Sequence, residues 1–320
     1  MSKIDVSIVV PLYNEEESLM ELADWIKRVC DENQLSFEVY FVDDGSTDKS
    51  WEIIKELHKN DSRMKGISFR RNYGKSAALN TGFQKVTGKV VITMDADLQD
   101  NPNEIPELYN MILDKGYDIV SGWKKQRRDP ITKTIPTKLY NAVTRMVSGI
   151  KLNDMNCGLK AYRNEVVKSI EVYGEMHRYI PLIAKWSGFN KIGEKVVVHR
   201  ERKYGKTKVG LERFIFGFLD LFSITFMGKF GKRPMHLFGT LGTIMFIMAF
   251  LFLAWIGVDK LFFDKGAKLI AERTEFYVAI VAMVIGVQLF LAGFLGEMIA
   301  RNSPKSNFYQ IKEETSLNDV

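Results

Sequence analysis

Residues 6–58 read VSIVVPLYNEEESLMELADWIKRVCDENQLSFEVYFVDDGSTDKSWEIIKELH, and this stretch decides the fold. Val6–Val10 is a short apolar run of the kind found in a strand buried on both faces. Asn14, with Glu17 three residues on, suits a helix N-cap before a helix over Ser18–Cys30. Phe37–Val42 is a second strand, closed by the turn-forming Asp43-Asp44-Gly45-Ser46-Thr47-Asp48. A helix over Lys49–His58 follows, with Trp51, Ile54 and Leu57 at helical spacing.

The alternation continues beyond that unit. Met64–Phe69, Val90–Met94 and Asp118–Ser121 read as strands, and Ser76–Val86 and Asn103–Leu113 as helices. Strict βα alternation predicts an α/β fold, a mostly parallel sheet with helices on both faces. In such sheets ligands bind beyond the carboxyl ends of the strands. The loops there read PLYNEEE, DDGSTD, RRNYGKS, DADLQD and GWKKQRRD, rich in charge. Two nucleotide-site patterns are absent. Gly74-Lys75-Ser76 resembles the end of a P-loop, but Phe69 stands where its first glycine belongs, and no GxGxxG follows the first strand.

The chain has 320 residues, 46% of them hydrophobic, with 24 Gly and 8 Pro, which excludes a disordered or collagenous chain. Cys30 and Cys157 are too few for a disulfide framework or a cysteine metal cluster and favour a reducing compartment. A mean hydropathy of −0.11 conceals two apolar runs. Residues 235–258 carry no formal charge over 24 positions and residues 276–296 none over 21, each long enough to cross a hydrocarbon core. Lys229, Lys232, Arg233, Arg301 and Lys305 flank the pair, against Lys260, Lys265, Lys268 and Arg273 between them. Counting Lys and Arg, and with no signal peptide evident at Met1–Asp5, both termini and the folded part are expected in the cytoplasm, on an inner or plasma membrane.

The formal charge of +6 is concentrated. Lys195–Arg233 holds ten Lys or Arg against three acids, directly before the first apolar run. Such a stretch suits anionic lipid head groups or a phosphate-bearing substrate, and its place beside a membrane argues against nucleic acid. Leu211–Phe230 reads as an interfacial helix. Gly239, Gly242, Ala282, Gly286, Ala292 and Gly296 suit close helix packing, and Glu297 with Arg301 a helix-end ion pair. The domains expected are 1–205, a catalytic domain; 206–233, juxtamembrane helices; 234–300, a two-helix hairpin; and 301–320, a cytosolic tail.

The sharpest chemical signal is Asp95-Ala96-Asp97 at the end of the Val90–Met94 strand. Hard oxygen donors without nearby His or Cys suit Mg²⁺ or Mn²⁺ held together with substrate phosphates, and Gln99 adds a third oxygen. Asp43-Asp44 can accept hydrogen bonds from a base or ribose, and acids at Glu15–Glu17 also favour the first turn of a helix. His199-Arg200-Glu201-Arg202 and Gly205-Lys206-Thr207-Lys208 could hold an acceptor phosphate, with Arg202 preferred and Arg200 and Lys208 behind it.

Taken together, SIVVPLYNEEESL, VDDGSTDKS, RRNYGKSAALNTGF, ITMDADLQDNPNEIP, DMNCGLKAYR, HRYIP and HRERKYGKTKVG resemble the membrane-anchored branch of glycosyltransferase family 2. The likeness is to bacterial polyprenyl-phosphate glycosyltransferases of the bactoprenol glucosyltransferase type and, more distantly, to dolichol-phosphate mannose synthase. It runs from about residue 5 to about 300. The resemblance implies a GT-A-type nucleotide-sugar-binding fold, a divalent metal and inversion at the anomeric carbon. By motif position, Pro11, Tyr13, Asn14, Glu15, Val42 and Asp44 would hold the donor, with Lys75, Asp95, Ala96, Asp97, Lys124 and Arg127 near its diphosphate. Lys124 stands where relatives often carry arginine. Asp95, Asp97 and Gln99 would surround the metal, and Asp154 and Asp97 would be the catalytic carboxylates. The expected partners are a nucleotide sugar, with a UDP-hexose preferred, polyprenyl (undecaprenyl) phosphate, membrane lipids and further copies in a homotetramer. A processive polysaccharide synthase is a competing expectation, weakened by the lack of QxxRW. A non-catalytic membrane scaffold is another, opposed by Asp44, Asp95, Asp97 and Asp154 standing together.

Overall fold

A computed structural model describes residues 4–125, 141–146, 148–200, 203–204, 223, 226, 234–263, 269–302 and 311–314. The chain divides into two compact units, residues 1–222 with 307–320, and residues 223–306. The first contains β1 (Val6–Leu12), α1 (Leu19–Glu32), β2 (Phe37–Asp43), α2 (Ser50–Asn60), β3 (Met64–Phe69), α3 (Lys75–Lys85) and β4 (Val90–Thr93). After these come α4 (Ile105–Leu113), β5 (Ile119–Trp123), β6 (Lys160–Arg163), α5 (Asn164–Ser169), α6 (Ile180–Trp186), β7 (Ile192–Val196) and β8 (Ile311–Glu314).

These strands form one sheet in the order β7-β5-β6-β4-β1-β2-β3-β8. β1 pairs in parallel with β2 and β4, β2 with β3, and β5 with β7. The α/β architecture and mostly parallel sheet are as the sequence indicates, with antiparallel exceptions at β6 and β8. Every residue of β1 and β2 is buried, because helices cover both faces. Ile8 and Val10 pack with Leu22, Ile26, Ile54 and Leu108 from α1, α2 and α4. Val9 and Val42 face the other way, toward Ala78, Phe83 and Val166 of α3 and α5. The alternation of successive strand side chains produces these two cores.

Two local expectations change. Helix α1 is preceded by Ser18, without a side-chain cap. Asn14 instead adopts φ 54° and braces two loops, its Oδ1 accepting from the Thr47 amide at 2.9 Å and its own amide donating to Ser46 Oγ. The C-terminal segment, for which no strand was expected, adds the edge strand β8 to β3 through residues 311–314.

The second unit is a hairpin of α7 (Pro234–Val258) and α8 (Thr274–Asn302). Both helices are long and apolar enough to cross a membrane. Their outward faces expose large apolar side chains, among them Leu251, Trp255, Val281 and Leu295. Between them the backbones touch. A Cβ on Gly242 would lie 2.5 Å from the Gly286 carbonyl oxygen, and one on Gly286 2.8 Å from that of Gly242, the small-residue packing expected of membrane helices. Gly293 fills the inward place assigned to Ala292, which is exposed. The interfacial helix expected over Leu211–Phe230 lies outside the described residues apart from Ser223 and Phe226, and so does the Arg301 side chain.

Candidate active site

The carboxyl ends of β1, β2, β3 and β4 enclose an open cleft of about 320 Å³. Its walls include Pro11 near the end of β1, Tyr13 and Glu15 after it, Asp44 after β2, Lys75 at the start of α3, and Asp95, Ala96 and Asp97 after β4. The structure therefore gathers eight of the residues the motifs assigned to a donor. Leu12, Asn72, Gly74 and Ala78 complete the lining.

Buried hydrogen bonds shape the loops around this cleft. Asp44 accepts from the backbone amides of Tyr73 at 2.7 Å and Gly74 at 2.9 Å, tying the β2 loop to the β3 loop. Burial pushes its carboxyl above the usual range, against the two amides, which favour the charged form. Asp43 caps its own turn, accepting from the Ser46 amide, and takes the Ser68 hydroxyl. Gly45 has φ 74°, and any Cβ there would meet the Arg71 backbone at 2.6 Å, so only glycine lets the two loops approach.

The acidic turn after β4 resolves the orientation of its carboxylates. Leu98 takes φ 60°, bending the chain, while Asp97 Oδ1 accepts from the Gln99 amide at 3.2 Å. Asp95 Oδ1 pairs with Lys75 Nζ. Burial would raise the Asp95 carboxyl, but Lys75, Lys124 and Lys160 outweigh it and hold that group at about 2. Gly158 makes room for this carboxylate, since a Cβ there would lie 2.6 Å from Asp95 Oδ2.

Several expected donor contacts lie elsewhere. Asn14 is spent on the loop brace, and Val42 is wholly buried in the β-sheet core. Lys124, nearly buried, pairs with Asp100 Oδ1 at 3.2 Å. Burial disfavours its charge, but Asp100 and Asp95 raise its pKa above that of an ordinary lysine. Arg127, Arg202 and Lys208 lie outside the described residues. The Arg200 guanidinium sits 4.1 Å above the Trp25 ring, while its backbone amide donates to Gln99 O.

Asp154 is 1% exposed and does not line the cleft. Its Oδ1 accepts from the Asn156 amide at 3.2 Å, and its own amide donates to Glu194 Oε1 at 3.0 Å. The same Glu194 takes the Asn153 amide and side chain, each at 2.7 Å. The carboxylate thus organises the 153–158 loop in its described state.

Of four further side chains around the site, three escaped sequence reasoning and His199 was read only as part of the run over 199–202. Asp100 Oδ2 accepts from the Asp95 amide at 3.1 Å and fixes the acidic turn. Lys160 is buried beneath Asp95, and burial with Lys75 nearby lowers its pKa. His199 places Nε2 3.4 Å from Gln99 Nε2, while its Nδ1 is buried without a hydrogen-bond partner. Burial, with Lys124, holds this imidazole toward the neutral form. Glu194 is the fourth. Only His199 had a sequence signal, its place in an extended run beside Arg200.

Among the described residues no three His, Cys, Asp or Glu side chains form a metal-binding group. The donor chemistry nevertheless fits a hard cation shared with phosphates. Asp97 and Gln99 present oxygens from one turn, and Gln99 spends its amide nitrogen on Arg200 O at 3.3 Å, keeping its carbonyl oxygen. Asp95, on the same turn, is engaged by Lys75.

Comparison with known proteins agrees with this architecture. The chain is 36% identical over 297 residues to the undecaprenyl-phosphate 4-deoxy-4-formamido-L-arabinose transferase of Pseudomonas syringae pv. syringae, covering 92% of this chain and 86% of that one. It is 34% identical to the dodecaprenyl-phosphate galacturonate synthase of Rhizobium johnstonii, covering 94% and 89%. Among solved structures, mannosyl-3-phosphoglycerate synthase from Rubrobacter xylanophilus matches with a TM-score of 0.57 at 15% identity, over 71% of this chain and 75% of that one. Glucosyl-3-phosphoglycerate synthase from Mycobacterium tuberculosis, solved with Mn²⁺ and UDP-glucose, matches with a TM-score of 0.52 at 20% identity, over 70% and 79%. These distant structures share the GT-A-like fold. Residues 7–171, the βα core that carries the cleft, match glycosyl transferase family 2, and the chain belongs to that family.

Proposed function

We propose that this glycosyltransferase moves a hexose, with inversion, from a nucleotide sugar to a polyprenyl phosphate at the cytosolic leaflet. The observation that carries the reading is the cleft over β1, β2 and β4, whose lining joins Tyr13, Glu15, Asp44, Lys75 and the Asp95–Asp97 turn. The two relatives support the acceptor class, since dodecaprenyl phosphate and undecaprenyl phosphate stand in their names. A UDP-hexose is the preferred donor. The hairpin of α7 and α8 would anchor the enzyme as two spans, with both termini cytoplasmic, and the assembly proposed is a homotetramer.

In this reading the nucleoside lies against Tyr13, Glu15 and Asp44. The diphosphate lies toward Lys75 and the acidic turn. Asp97 and Gln99 would hold Mg²⁺ or Mn²⁺, which supplies charge neutralisation to the departing nucleoside diphosphate. Lys75 keeps Asp95 ionised and adds a positive charge on the same side of the cleft. The acceptor is a phosphomonoester with a second pKa of about 6, already nucleophilic at neutral pH. A strong base is therefore unnecessary, which accords with Asp154 ordering its loop. Attack on the anomeric carbon from the side opposite the diphosphate inverts that centre. Arg202, with Arg200 and Lys208, would hold the acceptor phosphate at the membrane surface.

The test is a donor panel. Purified protein, undecaprenyl phosphate, divalent metal and each of UDP-glucose, UDP-galactose, UDP-N-acetylhexosamine and GDP-mannose are incubated, and the lipid product is weighed by mass spectrometry. A glycosyl-phosphoryl-undecaprenol from a UDP-hexose is expected. Polymer formation would favour a synthase, and nucleotide binding without turnover a scaffold.

A further inference from the structure

Adjoining the open cleft is a small, partly open lobe that shares Pro11, Lys75 and Asp95 with it and has about 20 Å³ of free space. Three lysines converge on Asp95 here. Lys75 pairs with Asp95 itself, and Lys124 pairs with Asp100. Lys160 has no such partner. It is 3% exposed, opens β6, and its Nζ donates only to the Cys157 carbonyl oxygen. No described carboxylate lies within ion-pair distance of that nitrogen. An ammonium carries three protons, so two of its donors are unspent.

Burying an ammonium without a counter-ion is costly, and the cost is avoided when a ligand brings the opposite charge. The surroundings indicate which charge is missing. Lys75 and Lys160 line the lobe with Asp95, which Lys75 already pairs; Arg178, also at its wall, is paired with Glu175 at 2.8 Å, and Asp95 and Asp154 attract Lys160 only from beyond ion-pair distance. Tyr162, two residues along β6 from Lys160, points to the same face of the strand and also lines the lobe. Its hydroxyl is buried beside Thr93 and makes no hydrogen bond of ordinary geometry among the described residues. A water could satisfy Tyr162 but could not balance Lys160. The free space admits one oxygen-sized group, with the remainder of its parent in the wider cleft.

We propose that Lys160 and Tyr162 form an oxyanion subsite at the floor of the cleft, filled by one oxygen of a substrate phosphate. That phosphate is either the distal phosphate of the nucleotide sugar or the phosphomonoester of the acceptor. Its identity as a substrate phosphate rests on the transferase reading above. The unbalanced positive charge does not.

The experiment uses the full chain in neutral detergent, as wild type, Lys160→Met and Tyr162→Phe. Three quantities are measured: the ligand-free thermal midpoint, UDP affinity by calorimetry, and the KM for undecaprenyl phosphate. Lys160→Met should leave the ligand-free midpoint unchanged or higher, because it removes a buried charge that lacks a partner. It should also weaken one substrate about tenfold or more, as loss of a charge-assisted hydrogen bond does. Weaker UDP binding assigns the oxygen to the donor. A raised acceptor KM with UDP affinity intact assigns it to the acceptor. Tyr162→Phe should move the same constant in the same direction by a smaller factor. If both constants stay within twofold of wild type in Lys160→Met, the proposal is overturned, and a lowered midpoint would then make Lys160 a peg for the Cys157 carbonyl. Wild type that neither binds UDP nor uses the acceptor would sink the transferase reading. A normal wild type beside an indifferent Lys160→Met would sink the subsite alone.

Discussion

Replacing Gly158 with alanine tests how tightly the acidic turn is held. The new methyl carbon would stand 2.6 Å from Asp95 Oδ2 and 2.8 Å from its Cγ, and must reach at least 3.4 Å for ordinary contact. The Gly158 backbone cannot easily give way, because its carbonyl accepts from Thr93 Oγ1 at 2.9 Å. Asp95 therefore moves, and its pairing with Lys75 loosens. Overpacking of this kind costs about 1–3 kcal/mol of stability, a fall of several degrees in Tm at about 2–4 °C per kcal/mol for a domain of this size. Activity should fall further. A displacement of about 1 Å at a reacting centre costs roughly a hundredfold, so kcat/KM for sugar transfer to undecaprenyl phosphate should drop about that much while the protein stays folded at 25 °C. The assay is transfer of radiolabelled sugar into the lipid phase, with a calorimetric scan of the same sample. Wild-type kcat/KM in Gly158→Ala would refute the reasoning, because the Asp95 carboxylate could then shift without consequence.

Other outcomes follow from the same structure. Asp97→Asn should abolish turnover with little change in Tm, and excess EDTA should do the same to wild type; full activity in either case contradicts the metal assignment. Arg202→Ala should raise the KM for polyprenyl phosphate about tenfold to a hundredfold in neutral detergent, with donor affinity unchanged; loss of the donor instead would move Arg202 to the diphosphate. Cysteine labelling in intact cells should reach a probe at residue 265 and miss probes at 2 and 318, and the reverse pattern would invert the topology. Lys89 and Ser36, acting against burial, lower the Asp5 carboxyl to about 2. Its contribution to stability is therefore present above about pH 4 and lost as pH falls toward 2. Urea unfolding of Asp5→Asn across that window should show a flatter pH dependence than wild type, and identical curves would discount the Lys89 pair.

The strands that sequence patterning found are those buried on both faces. Met64–Phe69 falls on the expected residues, and β1, β2, β4 and β5 differ only at their ends. The strands it missed are short or lie at an edge. β6 reads KAYR, with a buried lysine where apolar residues are the rule, β7 reads IGEKV and is only half-buried, and β8 reads IKEE. Their pairing is set by neighbours distant in sequence. The cleft was legible because its residues stand at the ends of legible strands. The local bonding of Asn14 and Asp154 was not, because φ 54° at one and a self-capping turn at the other depend on loops folding against each other. Lys160 was invisible for a simpler reason: a lysine in a sequence carries no mark of burial.

The edge strand β8 also constrains how the polypeptide threads. The chain leaves the sheet at β7, one margin of the order, runs through the hairpin, and returns to hydrogen-bond at the opposite margin beside β3. Residues before and after the hairpin thus belong to one sheet, so the number of bilayer crossings between them must be even: two or none, never one. The same threading makes the hairpin an insertion whose two flanks both belong to one sheet. Cutting the chain between α8 and β8 would leave every cleft residue, all between Pro11 and Asp97, on the same fragment as the hairpin.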